Sequence, residues 1–178
     1  SAALALLPLA VSAQTLTITN GVQKFASLTS TTVSLSGRCE LWVTSASTPL
    51  TGCTVNLNFV DAWLFLPGIK PSVVVSTYLG QVRVNGASAV ADSNVRVVQY
   101  GQNGAVVIPH SAGFLPLTVF TGAEFAGTQT QYGQWTYYKG SGFSNIRSFK
   151  LKRGYQVVFA QSSDGKNWSQ CYVAQDGD

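Results

Sequence analysis

The stretch CTVNLNFV, residues 53–60, decides how the chain is read. Val55, Leu57 and Phe59 alternate with Thr54, Asn56 and Asn58, the period of two that an extended strand shows when one face is buried and the other is wet. Working outward, TVSLS, LWV, AWLFL, SVVVS, QVRV, VRVVQY, AVVI, LTVF, YQVVF and QCYVA are short runs rich in Val, Phe, Tyr and Trp. Between them lie Asn85-Gly86, Asn103-Gly104, Pro67-Gly68 and Asp164-Gly165, dipeptides suited to tight turns. Strand and turn alternating at this spacing predict an all-β chain built as an antiparallel β-sandwich. In AWLFL, residues 62–66, both faces are apolar, so Trp63 and Phe65 are expected to be buried with Leu64 and Leu66.

Composition narrows the class. The chain has 178 residues, 46% hydrophobic and only 10% charged, which is enough apolar material for a core and far less charge than an average soluble domain carries. Abundant Ser, Thr, Gly, Asn and Gln suit an extracellular β protein. The formal net charge is +4, but the basic residues gather only at Arg147, Lys150, Lys152 and Arg153, where they alternate with apolar neighbours as on a solvated strand face. No nucleic-acid partner is expected. The start, SAALALLPLAVSAQ, has an apolar run at residues 2–11 and small residues at the positions a signal peptidase reads, Val11 and Ala13. Residues 1–13 therefore read as the remnant of a signal peptide, with Gln14 first after cleavage. The run is too short to span a bilayer, so a secreted protein without a membrane partner after cleavage is expected.

Pro109, Gly113 and Pro116 interrupt strand pairing and suggest a boundary, with a β-rich module at 14–115 and a second at 116–178, although two layers of one domain would fit the same short connection. Of the three cysteines, Cys39 and Cys53 flank a turn-rich loop and form a disulfide candidate in an oxidising compartment. Cys171 is left over. No cluster of His and Cys suggests a metal site.

The second module carries a resemblance. Phe120, Phe125 and Gly127 stand as aromatic-x4-aromatic-x-Gly in VFTGAEFAG, followed by TQTQYGQWTYY and FSNIRSFKL. This resembles a βγ-crystallin Greek-key motif, in which Gly127 would supply a positive φ for a folded hairpin and Ser148 would close it. A second motif would begin at Phe159, but Trp168 comes too late and no Gly follows it at the right place. Microbial members bind calcium just before the closing Ser. Here that segment holds Ser144, Asn145 and Arg147, and Arg147 has the wrong sign for a cation site, so calcium is the one cofactor the resemblance raises and the residues oppose it.

Over residues 35–178, DAWLFLPGIKPSVVVSTYLGQVRVNG, VVIPH and IRSFKLKRGYQVVFAQ look like the non-catalytic β modules that precede glycoside hydrolase barrels in secreted bacterial enzymes of the β-1,3-glucanase type. That resemblance implies a covalently linked catalytic domain downstream and a polysaccharide partner such as β-glucan. No paired carboxylate motif is found among the seven Asp and Glu residues, and His110 in IPHSAG lacks a nucleophile motif and reads as a loop residue, so no catalytic residue is assigned. Sugar binding asks for exposed rings with amide and hydroxyl neighbours. Trp135 and Tyr137, on one strand face, and Trp168 with Asn167 and Gln170 are the candidates, while Tyr132 and Tyr138 are expected in the core and Trp42 is ambiguous. The expected function is a carbohydrate-binding or accessory module. The alternatives are a structural or calcium-stabilised crystallin-like domain, and an adhesin that binds a protein through its strand edges.

Overall fold

A computed structural model describes residues 14–111, 113–133, 145–162 and 167–174. The fold is all-β, and the chain divides into two compact units, Ser1–His110 and Ser111–Asp178. In chain order the first unit carries β1 (Gln14–Ile18), β2 (Gly21–Phe25), β3 (Leu28–Thr29), β4 (Thr31–Leu35), β5 (Cys39–Val43), β6 (Leu50–Thr51), β7 (Thr54–Leu57), β8 (Ala62–Leu66), β9 (Val82–Val84), β10 (Ala87–Ser88), β11 (Val95–Tyr100) and β12 (Gly104–Pro109). Two five-stranded sheets, β1-β4-β7-β9-β10 and β11-β12-β8-β5-β2, are joined by a small third pair, β3-β6.

One core lies between the two large sheets. Val33, Leu35, Val55, Leu57 and Val82 reach it from the first sheet, and Leu41, Val43, Leu64, Leu66 and Val107 from the second. The layered arrangement is that of a sandwich, but the pairing expected from the sequence is corrected here. β1, β4, β7 and β9 pair in parallel, as do β2, β5 and β8, and β3 and β6. Antiparallel pairing in this unit is confined to β9 with β10, β8 with β12 and β11 with β12. The reason is the route of the chain. From β1 to β9 each strand is followed by one in a different sheet, so the chain returns to a given sheet one full circuit later and runs in the same direction. Gly37 sits where successive circuits approach closely, since a Cβ there would collide with the carbonyl of Thr19.

Local chemistry accounts for the departures from the strand pattern. Residues 72–76, SVVVS, are helical rather than extended, in a short helical passage formed by Pro71–Val73, Val74–Tyr78 and Leu79–Gln81. Pro71 occupies the first turn, where its missing N–H costs nothing, and the buried residues Val74 and Tyr78 stand four apart, on one helical face. The Tyr78 hydroxyl donates to Ser47 O at 2.9 Å. Asn85 and Gly86, with φ of 48° and 83°, make the two-residue turn between β9 and β10. At the β11-β12 hairpin the positive φ falls on Gly101 rather than on Asn103-Gly104. β8 is buried at all five positions, with Trp63 and Phe65 on the face opposite Leu64.

The disulfide candidate is also corrected. Cys39, Cys53 and Cys171 are all free thiols. Cys39 opens β5 in one large sheet, and its thiol donates to Gly37 O at 3.2 Å, while Cys53 precedes β7 in the other sheet and its N–H donates to Gln81 Oε1 at 3.0 Å. Both are buried in the core cluster.

The second unit contains β13 (Leu117–Phe120), β14 (Gln129–Tyr132), β15 (Ser148–Leu151), β16 (Gln156–Ala160) and β17 (Ser169–Val173). Among the described residues pairing here is antiparallel, in a three-stranded sheet β14-β13-β15 and a hairpin β16-β17. Leu117, Val119 and Leu151 form the centre, with Tyr132, Phe149, Val157 and Phe159 packed around them. Phe149 meets Phe159 and Tyr172 edge to face, with ring centroids 5.1 and 4.9 Å apart, and so ties the three-stranded sheet to the hairpin.

The connection from β13 to β14 is a folded hairpin. The Ser148 hydroxyl donates to Gly122 O at 2.7 Å and accepts from the Phe125 N–H at 3.0 Å. Thr121 Oγ1 accepts from the Thr128 N–H at 3.0 Å. Glu124, Phe125 and Gly127 all have positive φ, and at Gly127 a Cβ would stand 2.5 Å from Thr121 Oγ1. Phe120 and Phe125 then meet with centroids 5.6 Å apart. A single hydroxyl thus fastens a strained loop to the neighbouring strand.

Candidate functional site

The sequence candidates for sugar binding separate into two groups. Trp135 and Tyr137 lie outside the described residues, as do Tyr138 and Ser144. Trp168 is 58% exposed, and both Asn167 and Gln170 are exposed beside it in sequence. The hairpin positions them: the Gln161 N–H donates to Trp168 O at 2.9 Å, extending the β16-β17 ladder by one pair, and the Asn167 N–H donates to Ser162 Oγ at 3.4 Å. A large ring held in solvent at the end of a ladder, with two amide side chains nearby, has the elements a pyranose needs. These are an apolar face for its C–H groups and donors and acceptors for its hydroxyls. Tyr132 is half-buried against the Leu117 cluster.

A second aromatic group lies on the outer face of the first unit. In register across β2, β5 and β8 stand Lys24, Trp42 and Phe65. Trp42 and Phe65 are stacked with centroids 4.4 Å apart and planes 5° from parallel, and Lys24 Nζ lies 5.0 Å from the Trp42 ring centroid. β2 and β8 flank β5 on opposite sides, so both faces of Trp42 are occupied and only its edge is left. Tyr100 straddles the edges of the pair, 5.4 Å from Trp42 and 5.3 Å from Phe65, and Glu40 accepts the indole N–H at 2.7 Å. This ladder braces the sheet and offers no free ring face at Trp42. Composition alone left Trp42 ambiguous, because its neighbours become known only with the register.

The outer face of the β1-β4-β7-β9-β10 sheet is different in kind. Thr15, Thr32 and Thr54 form one registered row, and Thr17, Ser34, Asn56 and Arg83 form another. Val33, Leu35, Val55 and Leu57 point the other way into the core. Sequence reasoning identified the alternation but missed the rows, because their members are far apart in the chain.

The remaining titratable groups are dispersed. Asp92 pairs with Arg96, Asp61 is buried, and Glu124 sits in the folded hairpin. His110 follows the end of β12 in a loop, as expected, but is buried there, and its backbone N–H donates to Asn94 O at 2.9 Å. Burial lowers its pKa from the ordinary 6.5, with Arg96 acting in the same direction and Asp92 against it. Burial also raises the Cys39 thiol above its usual 9.0. Among the described residues no group of three or more His, Cys, Asp and Glu could hold a metal ion. No described helix is long and apolar enough to cross a membrane. Comparison with protein-family models, with curated proteins and with solved structures returned no match.

Proposed function

We propose that this chain is a secreted, non-catalytic module that accompanies a polysaccharide-degrading enzyme and binds neutral glycan. The observation that carries the reading is the exposed ring of Trp168 with Asn167 and Gln170 beside it. A tryptophan in water at 58% exposure forgoes a large apolar gain, which a stacking ligand would restore. The low charge of the chain and the leader-like run at residues 2–11 support an extracellular setting, and the likeness to β modules of glucan-degrading enzymes points to β-glucan as the first polymer to try. Binding by stacking and hydrogen bonds needs no cofactor.

The test is retention on insoluble β-1,3-glucan, cellulose and chitin, beside a Trp168→Ala variant shown to be folded. Retention on one polymer that falls about tenfold or more in the variant is the expected result. Failure of the wild-type protein to bind any of the three would sink the reading. A protein-binding role has one specific observation in its favour. Among the described residues β17 pairs only with β16, so its outer edge offers backbone groups for strand addition.

A further inference from the structure

We propose that the outer face of the β1-β4-β7-β9-β10 sheet is a second glycan contact, a flat docking surface for an extended, uncharged polysaccharide; this deepens the glycan-binding reading and rests on it. The face is made by register. Three parallel strands place Thr15, Thr32 and Thr54 in one row and Thr17, Ser34 and Asn56 in the next. Parallel strands lie about 4.8 Å apart and alternate residues on one face about 6.6 Å apart, so these six side chains form a grid of two rows by three rungs. Thr15 and Thr17 are exposed and the other four are half-exposed, whereas every second residue of β4 and β7 beneath them is buried. The grid is therefore held by the same core that holds the sheet.

The chemistry of the grid selects the partner. Every member is a hydroxyl or an amide, able both to donate and to accept, as the hydroxyls of a sugar polymer are. The one internal side-chain bond within it, Asn56 Nδ2 to Ser34 Oγ, is long at 3.4 Å, which leaves the remaining lone pairs and protons for a ligand. No carboxylate stands in the rows, and the nearest cation in register, Arg83, donates to the carbonyls of Gly80 and Val82. A single tethered guanidinium on a neutral field suits neither a nucleic acid nor an acidic glycan, each of which calls for several cations. The grid also lacks the aromatic or aliphatic anchor around which protein interfaces are built. As the outer face of an open sheet, it does not surround a small molecule, whose sites are concave. An extended neutral polymer matches its charge, its hydrogen-bonding capacity and its shape together.

The experiment measures depletion isotherms of the full chain on insoluble β-1,3-glucan, cellulose and chitin, at low and at high salt. Wild type is compared with Thr32→Val, Thr54→Val, with Ser34→Lys, and with Trp168→Ala. Thr→Val keeps the β-branched shape of an outward strand position and removes only the hydroxyls. The expected result is wild-type affinity nearly independent of salt, weakened about tenfold in the double Thr variant. Ser34→Lys, which sets a bulky charge in the middle of the grid, weakens it at least as much. Thermal melts of each variant unchanged from wild type tie the loss to the surface. Wild-type retention that both grid variants keep and Trp168→Ala loses would overturn this proposal and leave the module's glycan function standing. Absence of wild-type retention would overturn both. Inhibition of ice recrystallisation that the grid variants abolish, without retention on any polymer, would assign the grid to ordered water and overturn the polysaccharide.

Discussion

Both units of the chain are built from short strands, and those strands are wired in different ways. In the parallel part of the first unit a strand's neighbour lies a full circuit away, as Thr32 does from Thr15 and Thr54 does from Thr32. In the second unit β13 pairs with β14 through a folded hairpin, and β16 with β17 across a single loop. The first arrangement puts its stability into one long core and leaves the outer sheet faces regular. The second puts it into a small cluster and into individual polar fastenings such as Ser148. The units should therefore fail differently, the first through its interior and the second through its hairpin.

The largest expected effect tests the interior. Leu64 is fully buried in β8, between neighbours on β5 and β12. Leu64→Ala should cost about 2 to 5 kcal/mol, read as a lower unfolding midpoint for the first unit while hydrogen exchange in β13–β17 is unchanged. Loss of protection in the second unit to the same degree would erase the distinction drawn here.

A smaller effect is expected at the hairpin. Ser148→Ala removes both bonds of the closing hydroxyl and leaves the Phe125 N–H without it, for about 1 to 2 kcal/mol. Amide exchange across residues 121–128 should accelerate while that of β4, β5 and β7 does not. Equal exchange in wild type and variant would show that Thr121 and the Phe120-Phe125 contact suffice.

The smallest is a pH dependence confined to the first unit. Because His110 is depressed below 6.5, the folded state resists a proton that the unfolded chain accepts. Its contribution is fully present above the unfolded value and is lost as pH falls through the folded one. Unfolding of the first unit should ease modestly on acidification from neutral pH, and His110→Gln should flatten that slope. A slope unchanged in the variant would place the acid sensitivity among the carboxylates.

Much of this was legible in the sequence, and the limits have a physical cause. The alternation in CTVNLNFV revealed a strand with a buried side over Thr54–Leu57, although Phe59, expected on that side, lies beyond the strand end and is exposed, and the doubly apolar AWLFL revealed one buried on both. Neither pattern contains the direction of the neighbouring strand, since side chains alternate sides along a strand whichever way its neighbour runs, and here the alternating β7 lies among parallel strands. The offset between paired residues grows from 17 (Thr15 to Thr32) to 22 (Thr32 to Thr54) and 27 (Val55 to Val82), so no fixed repeat announces the coil. Valine content misassigned residues 72–76, where Pro71 and the spacing of Val74 and Tyr78 carry the helical signal. Trp168 was legible as an exposed ring because turn residues surround it. The Thr rows were not, because only register brings Thr15, Thr32 and Thr54 together.

The growing circuit length has a further consequence. Residues added between strands enlarge the loops, while the pitch of the coil remains that of a hydrogen-bonded sheet, so the grid of side chains keeps its spacing whatever the loops become. Selection, or a designer, can lengthen, shorten or decorate those loops at little cost to the geometry of the face. In such a scaffold the edges evolve freely and the ruled surface stays the same.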